Sequence, residues 1–445
     1  MQRFFKLHRM LIWAPLLFAL LLRQPCTFAA PLDRKHFDEL NHQAAEAYRK
    51  GDWNAFRTIL LSIQESMPAP TPDFLVRMAA VEARLGNKQQ SLDWLNRYAA
   101  MGLSRNIEVE PLFQALSTEP GYQPLLKRMK DNEAPLQNAE VVCTLSLADT
   151  MPEDLAYDRV TRRFLVSSIQ HHTIYALSAP RTDGTCLMQS VRPIQAMQLW
   201  PVMALSSDPA RKLLWFTASA MEGFPNVPPK ENGKSSLFAA DSRSGAIQHR
   251  FDLPKGQAGV LGDMSIASDG SVYVTDSQGG GIYRVQGNLG NARLEQIAAG
   301  FFSPQTPVLA SDRKRLFVAD YSMGIAIVDL NSHSSPSTLS YLPHPADMAV
   351  TGLDGLCLIG DSLFGVQNGT TPVRIMRYRL DPQETRILSA EVIEQANDRL
   401  GQPTHILAHD GWIYVIANVG WDKVDDHGRL NPDQHFTPPV LLRFR

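Results

Sequence analysis

The chain has no surplus of charge of either sign, 43 Lys and Arg against 45 Asp and Glu, and no block of basic residues. It therefore has no electrostatic footprint for a phosphate backbone, and nucleic acid is excluded as an expected partner. It also has no G-x-S-x-G elbow and no H-E-x-x-H pair, which removes two familiar hydrolase plans. Gly279-Gly280-Gly281 precedes the strand-like IYRV and not a helix, so it is no phosphate cradle. Asp422, Asp425 and Asp426 lack the spacing of an EF-hand loop and are expected to be surface charge. The sequence does have 44% apolar residues in 445, enough to bury about two domains or one repetitive one.

Cysteine is scarce, with four in all. Cys26 belongs to the N-terminal segment, where Arg3, Lys6 and Arg9 precede the apolar run 10–22 and small residues close near Ala29-Ala30. Thirteen apolar residues are too few to span about 30 Å of hydrocarbon, so residues 1–30 are expected to be a cleaved signal peptide. The mature chain would then be periplasmic or secreted, with no stable membrane anchor. Cys143, Cys186 and Cys357 remain. At most one disulfide can form, and Cys143 with Cys186 is the only plausible pair; three buried thiols is the expectation.

Residues 31–130 carry apolar residues at helical spacing. EAYRKGDWNAFRTIL and EARLGNKQQSLDWL echo each other, with Gly86-Asn87 standing 35 residues after Gly51-Asp52. The period resembles two tetratricopeptide units, implying either a protein or peptide partner on a concave face or a helical cap on the next domain. Residues 131–139 are polar and contain Pro135, and form the linker.

From 140 to 445 the period changes to two, and one unit recurs six times: a strand, a turn on Asp, and a second strand ending in small polar residues. The turn residues are Asp158, Asp208, Asp269, Asp312, Asp361 and Asp410, in steps of 50, 61, 43, 49 and 49. Six such units predict a mainly β fold, a six-bladed β-propeller preceded by a small α-helical repeat domain. The aspartates are expected to be structural, holding hairpin backbone donors.

The inner strand of each blade should open onto the axis. The residues at those starts are Glu153, Val202, Asp263, Gln305, Asp354 and Thr404. About 14 residues later each blade returns to the same end at Ser167, Phe216, Ser277, Asp320, Asn368 and Asn418. Convergent carboxylates and amides are hard oxygen donors, which suit one Ca²⁺, Mg²⁺ or Mn²⁺; a hydrated funnel of hydrogen-bonded strand ends is the alternative.

PEDLAYDRVTRRFLVSSIQHHTIYAL and GDMSIASDGSVYVTDS resemble the senescence-marker-protein/gluconolactonase superfamily of six-bladed propellers, which shades into strictosidine-synthase-like and NHL propellers. The resemblance implies a divalent-metal-dependent hydrolase of small lactones or esters. Metal ligands would be Glu153, Asp263, Asp354 and Asn368. Asp263 or Asp354 would be the general base, and Gln305, Asp320, Asn418 and Trp421 would line the substrate site. His171 and His172 match histidines of related lactonases, although an exposed hairpin pair is the simpler account. The competing function is a non-catalytic scaffold that recognises partners through the helical repeats and the propeller surface.

Overall fold

The computed structural model describes residues 34–191, 194, 199–286, 288–331 and 339–445. The expected signal peptide, 1–30, lies outside the described residues.

Five α-helices come first: α1 (Arg34–Lys50), α2 (Trp53–Glu65), α3 (Pro72–Arg84), α4 (Lys88–Ala100) and α5 (Tyr122–Asn132). On α1 the buried residues are Phe37, Leu40, Ala44 and Ala47, one stripe at the helical period. The first two pairs fold as helical hairpins. Gly51 (φ +71°) and Gly86 (φ +79°) take the left-handed conformation that ends one helix before the next begins. Asp52 and Thr71 then cap the following helices by accepting from the Ala55 and Phe74 amides.

The described strands form six sheets. Their inner strands are Leu155–Asp158, Val202–Asp208, Leu261–Ile266, Pro304–Leu309, Leu353–Ile359 and Ile406–His409. Packed face to face around an axis, they make a six-bladed propeller. The sixth blade takes three strands from the C-terminal end and Glu140–Leu145 from the start of the domain, which leaves no unpaired edge between first and last blades. Thr185–Cys186 pairs in parallel beside Glu140–Leu145 and brings Cys186 to Cys143. The two are disulfide-bonded, with Cα atoms 5.7 Å apart, which corrects the expectation of three thiols; Cys357 is free.

The turn aspartates do structural service. Asp158 accepts from the Val160 and Thr161 amides, Asp208 from Arg211, Asp269 from Ser271 and Asp312 from Lys314.

The helical segment is docked on the propeller face where the inner strands begin, and the two share one hydrophobic core that includes Phe37, Leu75, Phe301 and Met323. Polar contacts fix the seat. Buried Arg374 donates to Gln367 Oε1 (2.6 Å) and to the carbonyls of Met101 and Gly102, and the Ser104 amide donates to Thr371 O at 2.7 Å. Arg34 donates to the carbonyls of Gly300 (3.2 Å) and Phe301 (2.8 Å) and lies 3.7 Å over the Phe302 ring. Arg34→Ala removes both kinds of contact at once. It is expected to cost about 1–2 kcal/mol in urea denaturation and to expose α1 to limited proteolysis before the propeller strands. Unchanged proteolysis would show that the apolar seat alone holds the helices.

Candidate axial site

The pairing of each inner strand with its neighbour defines equivalent levels on the axis. Leu155 pairs with Val166, Leu205 with Phe216, Met264 with Val274, Pro307 with Val318, Leu356 with Gly365 and Ile406 with Val415. The residues just before these form a lower ring: Asp154, Ala204, Asp263, Thr306, Gly355 and His405. One residue earlier is an upper ring: Glu153, Met203, Gly262, Gln305, Asp354 and Thr404.

The sequence-derived set mixed the two levels. Four inner strands carry a bulge or register shift near their start, between Val202 and Leu205, Leu261 and Asp263, Pro304 and Pro307, and Leu353 and Leu356. Counting back from the turns therefore put Asp263 one level too high and gave Val202 in place of Met203. Asp154 and His405, adjacent to the residues chosen, were missed; Asp154 stands in PEDLAYD beside Glu153 and His405 in QPTHILAHD beside Thr404.

The lower ring is a closed polar network. His405 Nε2 lies 3.0 Å from Asp154 Oδ1, and Nδ1 lies 3.8 Å from Asp263 Oδ2. Asp154 also accepts from the Leu155 and Leu205 amides, both at 2.5 Å. Asp263 accepts from the Met264 amide (2.8 Å) and from the Thr306 hydroxyl. Although burial disfavours a charged imidazole, Asp154 and Asp263 hold the His405 pKa well above its ordinary value. Gly355 makes the close approach possible: a Cβ there would stand 2.7 Å from Thr404 O and 3.0 Å from the His405 Cα. One ligand atom from each of Asp154, Asp263 and His405 lies within 4.8 Å of the others, the compass of a metal ion. As folded, the imidazolium supplies the positive charge between the two carboxylates. A cavity of about 330 Å³ reaches Thr306 and His405 from the opposite face.

Above this layer are Glu153 and Asp354. Trp421 donates its indole N–H to Glu153 Oε2 (2.6 Å), and Asn368 donates to Asp354 Oδ2 (2.8 Å). Burial first, then Asp354, pushes Glu153 up to about 8; burial, with Asp263 adding, pushes Asp354 up to about 7. Both are half-buried, as are Gln305, Asn368 and Trp421. The second oxygen of each carboxyl has no hydrogen-bond partner among the described residues.

Other predicted residues have different work. Asp320 is fully buried and accepts from the Phe302 and Ser303 amides and the Tyr341 hydroxyl, clamping the loop into blade four. It ends its strand one residue earlier than Asn368 does relative to blade five, and in extended backbone one residue reverses the face. The true counterpart of Asn368 is Tyr321, whose hydroxyl donates to Asn368 Oδ1 at 3.0 Å. With its carbonyl oxygen so engaged and its amide on Asp354, Asn368 orients that carboxyl. Asn418 is spent on Thr437 and the Pro438 carbonyl. Gln305 is in the upper ring, donating to Ser303 Oγ at 2.9 Å. His171 sits between Tyr175 (2.8 Å) and Asp149 (3.3 Å), and His172 meets Leu199 O at 2.8 Å. Both line a groove of about 1040 Å³ between blades one and two.

Glu153, Asp354 and His405 are all shifted toward their protonated forms in the folded state. The stability they contribute is present below their unfolded values, 4.5 for Glu153, 3.8 for Asp354 and 6.5 for His405, and is lost as pH rises through the folded ones. The melting temperature is therefore expected to fall between about pH 4 and 8. A melting temperature that climbs over that range would show the axial groups are not set as described.

No protein-family description and no curated protein sequence matches the chain. Solved structures are similar to it. A putative oxidoreductase (glucose dehydrogenase) from Thermus thermophilus is 15% identical, covering 68% of this chain and 98% of its own, with a TM-score of 0.46. A gluconolactonase from Xanthomonas campestris is 11% identical over 70% of this chain and 97% of its own, TM-score 0.42. Virginiamycin B lyase from Staphylococcus aureus is 15% identical over 69% and 99%, TM-score 0.43. Among the described residues no helix is long and apolar enough to cross a membrane.

Proposed function

We propose that the axial funnel is the active site of a divalent-cation-dependent hydrolase of small lactones or esters. The observation that carries this reading is the meeting of Glu153 and Asp354, from blades one and five, in one half-buried ring where each carboxyl keeps an oxygen free. Two such groups repel each other once ionised, and a cation offsets the repulsion. Hard oxygen donors fit Ca²⁺, Mg²⁺ or Mn²⁺: Glu153, Gln305 and Asp354 would hold the ion. When bound, it supplies a Lewis acid for the ester carbonyl.

The remaining chemistry falls to the chain. Asp354, held by Asn368, accepts a proton from the attacking water as its oxygen bonds to the acyl carbon. The acyl–oxygen bond then breaks, and the same proton goes to the departing alkoxide, so a lactone leaves as its hydroxy acid. Trp421 holds Glu153 from above and walls the funnel. Asp263, with both oxygens already accepting, is in this scheme a positioning residue for His405 and no longer a ligand or base.

Export is part of the proposal, supported by the signal-like residues 1–30 and by the Cys143–Cys186 disulfide, which suits an oxidising compartment. The test is equilibrium dialysis of the purified chain against each cation, followed by proton-release assays on a lactone panel. One ion per chain, with turnover lost to chelator and restored by the ion, is expected; Glu153→Gln should weaken ion binding by at least tenfold. A chain that binds no divalent ion and opens no lactone has some other function.

A further inference from the structure

Between the helical segment and the propeller lies a cleft of about 560 Å³, within the range of small-molecule pockets and at the kind of domain junction where they concentrate. The buried part of its lining is apolar, Phe37, Leu60, Ile63 and Phe74 from the helical segment and Met323 from the propeller, with Met67 and Phe302 partly buried beside them; the exposed part, Asp38, Asp73, Arg77 and Ser322, is polar. The two methionines give such a wall adaptability. Among the described residues no unpaired charge faces it: Arg34 is committed to Asp38 and two carbonyls, and Arg77 to Asp73 at 2.7 Å. A neutral, apolar group is therefore the matched occupant.

The cleft also borders the axial site. Tyr321 lines it, and the hydroxyl of the same residue reaches Asn368, which holds Asp354. The ring is fixed in that wall by close backbone packing: a Cβ on Gly369 would stand 2.6 Å from the Tyr321 hydroxyl. Burial and the nearby Asp354 push the Tyr321 phenol up to about 12, so it stays a neutral donor.

We infer that this cleft binds an aliphatic substituent of the substrate, so that the preferred substrates are neutral lactones or esters carrying an alkyl or acyl chain, selected by the helical segment. The inference rests on the hydrolase reading of the axial site and adds its specificity element. Each buried methylene should then raise kcat/KM by about threefold to fourfold until the cleft is filled.

The test uses the full mature chain and a series of lactones with lengthening alkyl substituents. Asn41→Trp on α1 and Ser322→Trp on the blade-four turn each place a ring in the cleft from a partly or fully exposed position. Both variants should abolish the chain-length dependence while leaving the unsubstituted lactone unchanged. In parallel, the apolar probe N-phenyl-1-naphthylamine should bind the wild type and Glu153→Gln but lose at least tenfold in affinity for both tryptophan variants. Probe binding with no hydrolysis of any lactone would keep the cleft and sink the hydrolase reading. A flat length series in the wild type, or a series and probe binding unaltered by both tryptophans, would overturn the cleft assignment.

Discussion

Asp354→Asn is expected to lower kcat/KM for lactone opening by about three orders of magnitude, the scale set by loss of a general base. The substitution keeps the shape and the hydrogen bond available to Asn368, so the fold should survive, and equilibrium dialysis of the variant separates loss of the ion from loss of the base. Two further readouts separate this role from a structural one. In the wild type, kcat/KM should rise with pH as the Asp354 carboxyl ionises: burial first raises its pKa to about 7 in the ion-free chain, and a bound cation should bring the midpoint below that value. The residual activity of Asp354→Asn should lose that midpoint. Asn368→Ala, which only releases the carboxyl from its 2.8 Å donor, should cost about tenfold and shift the midpoint upward, since the hydrogen bond lowers the pKa. Full activity in Asp354→Asn with an unchanged pH profile would remove Asp354 from the reaction.

The contrast between what was legible in the chain and what was not follows from where regularity ends. Strand and turn were legible because a period of two and a hairpin aspartate are local signals; four of the six aspartates hold the amides expected of them. The blade count followed from their spacing. Axial positions were not legible to the same accuracy, since a bulge adds a residue without changing the pattern on either side, and one residue decides which level of the funnel a carboxyl reaches. Glu153, Gln305, Asp354 and Thr404 share one level because the count back from the turns happens to land there. Asp263 and Asp320 were displaced by one, and His405 went unnoticed beside Thr404. Nothing local announced that Arg374 would bind carbonyls of the helical segment, because that pairing joins residues far apart in sequence.

His405→Ala should have the largest effect on stability, about 3–5 kcal/mol in urea denaturation, because it strips two buried carboxylates of the cation between them. The side chain is 12% exposed, and it joins Asp154 from blade one to Asp263 from blade three through blade six. Removing it leaves two buried carboxylates without the imidazole between them. The cost should be fully present near and below pH 6.5 and should shrink as alkaline pH discharges the imidazole of the wild type. Combining it with Asp154→Asn separates loss of the pair from loss of packing: the double variant should be less destabilised than the sum of the single ones by at least 1 kcal/mol. Additive losses would mean that His405 serves the fold as an aromatic filler, and the lower ring would then have to be reconsidered as a set of independent hydrogen bonds.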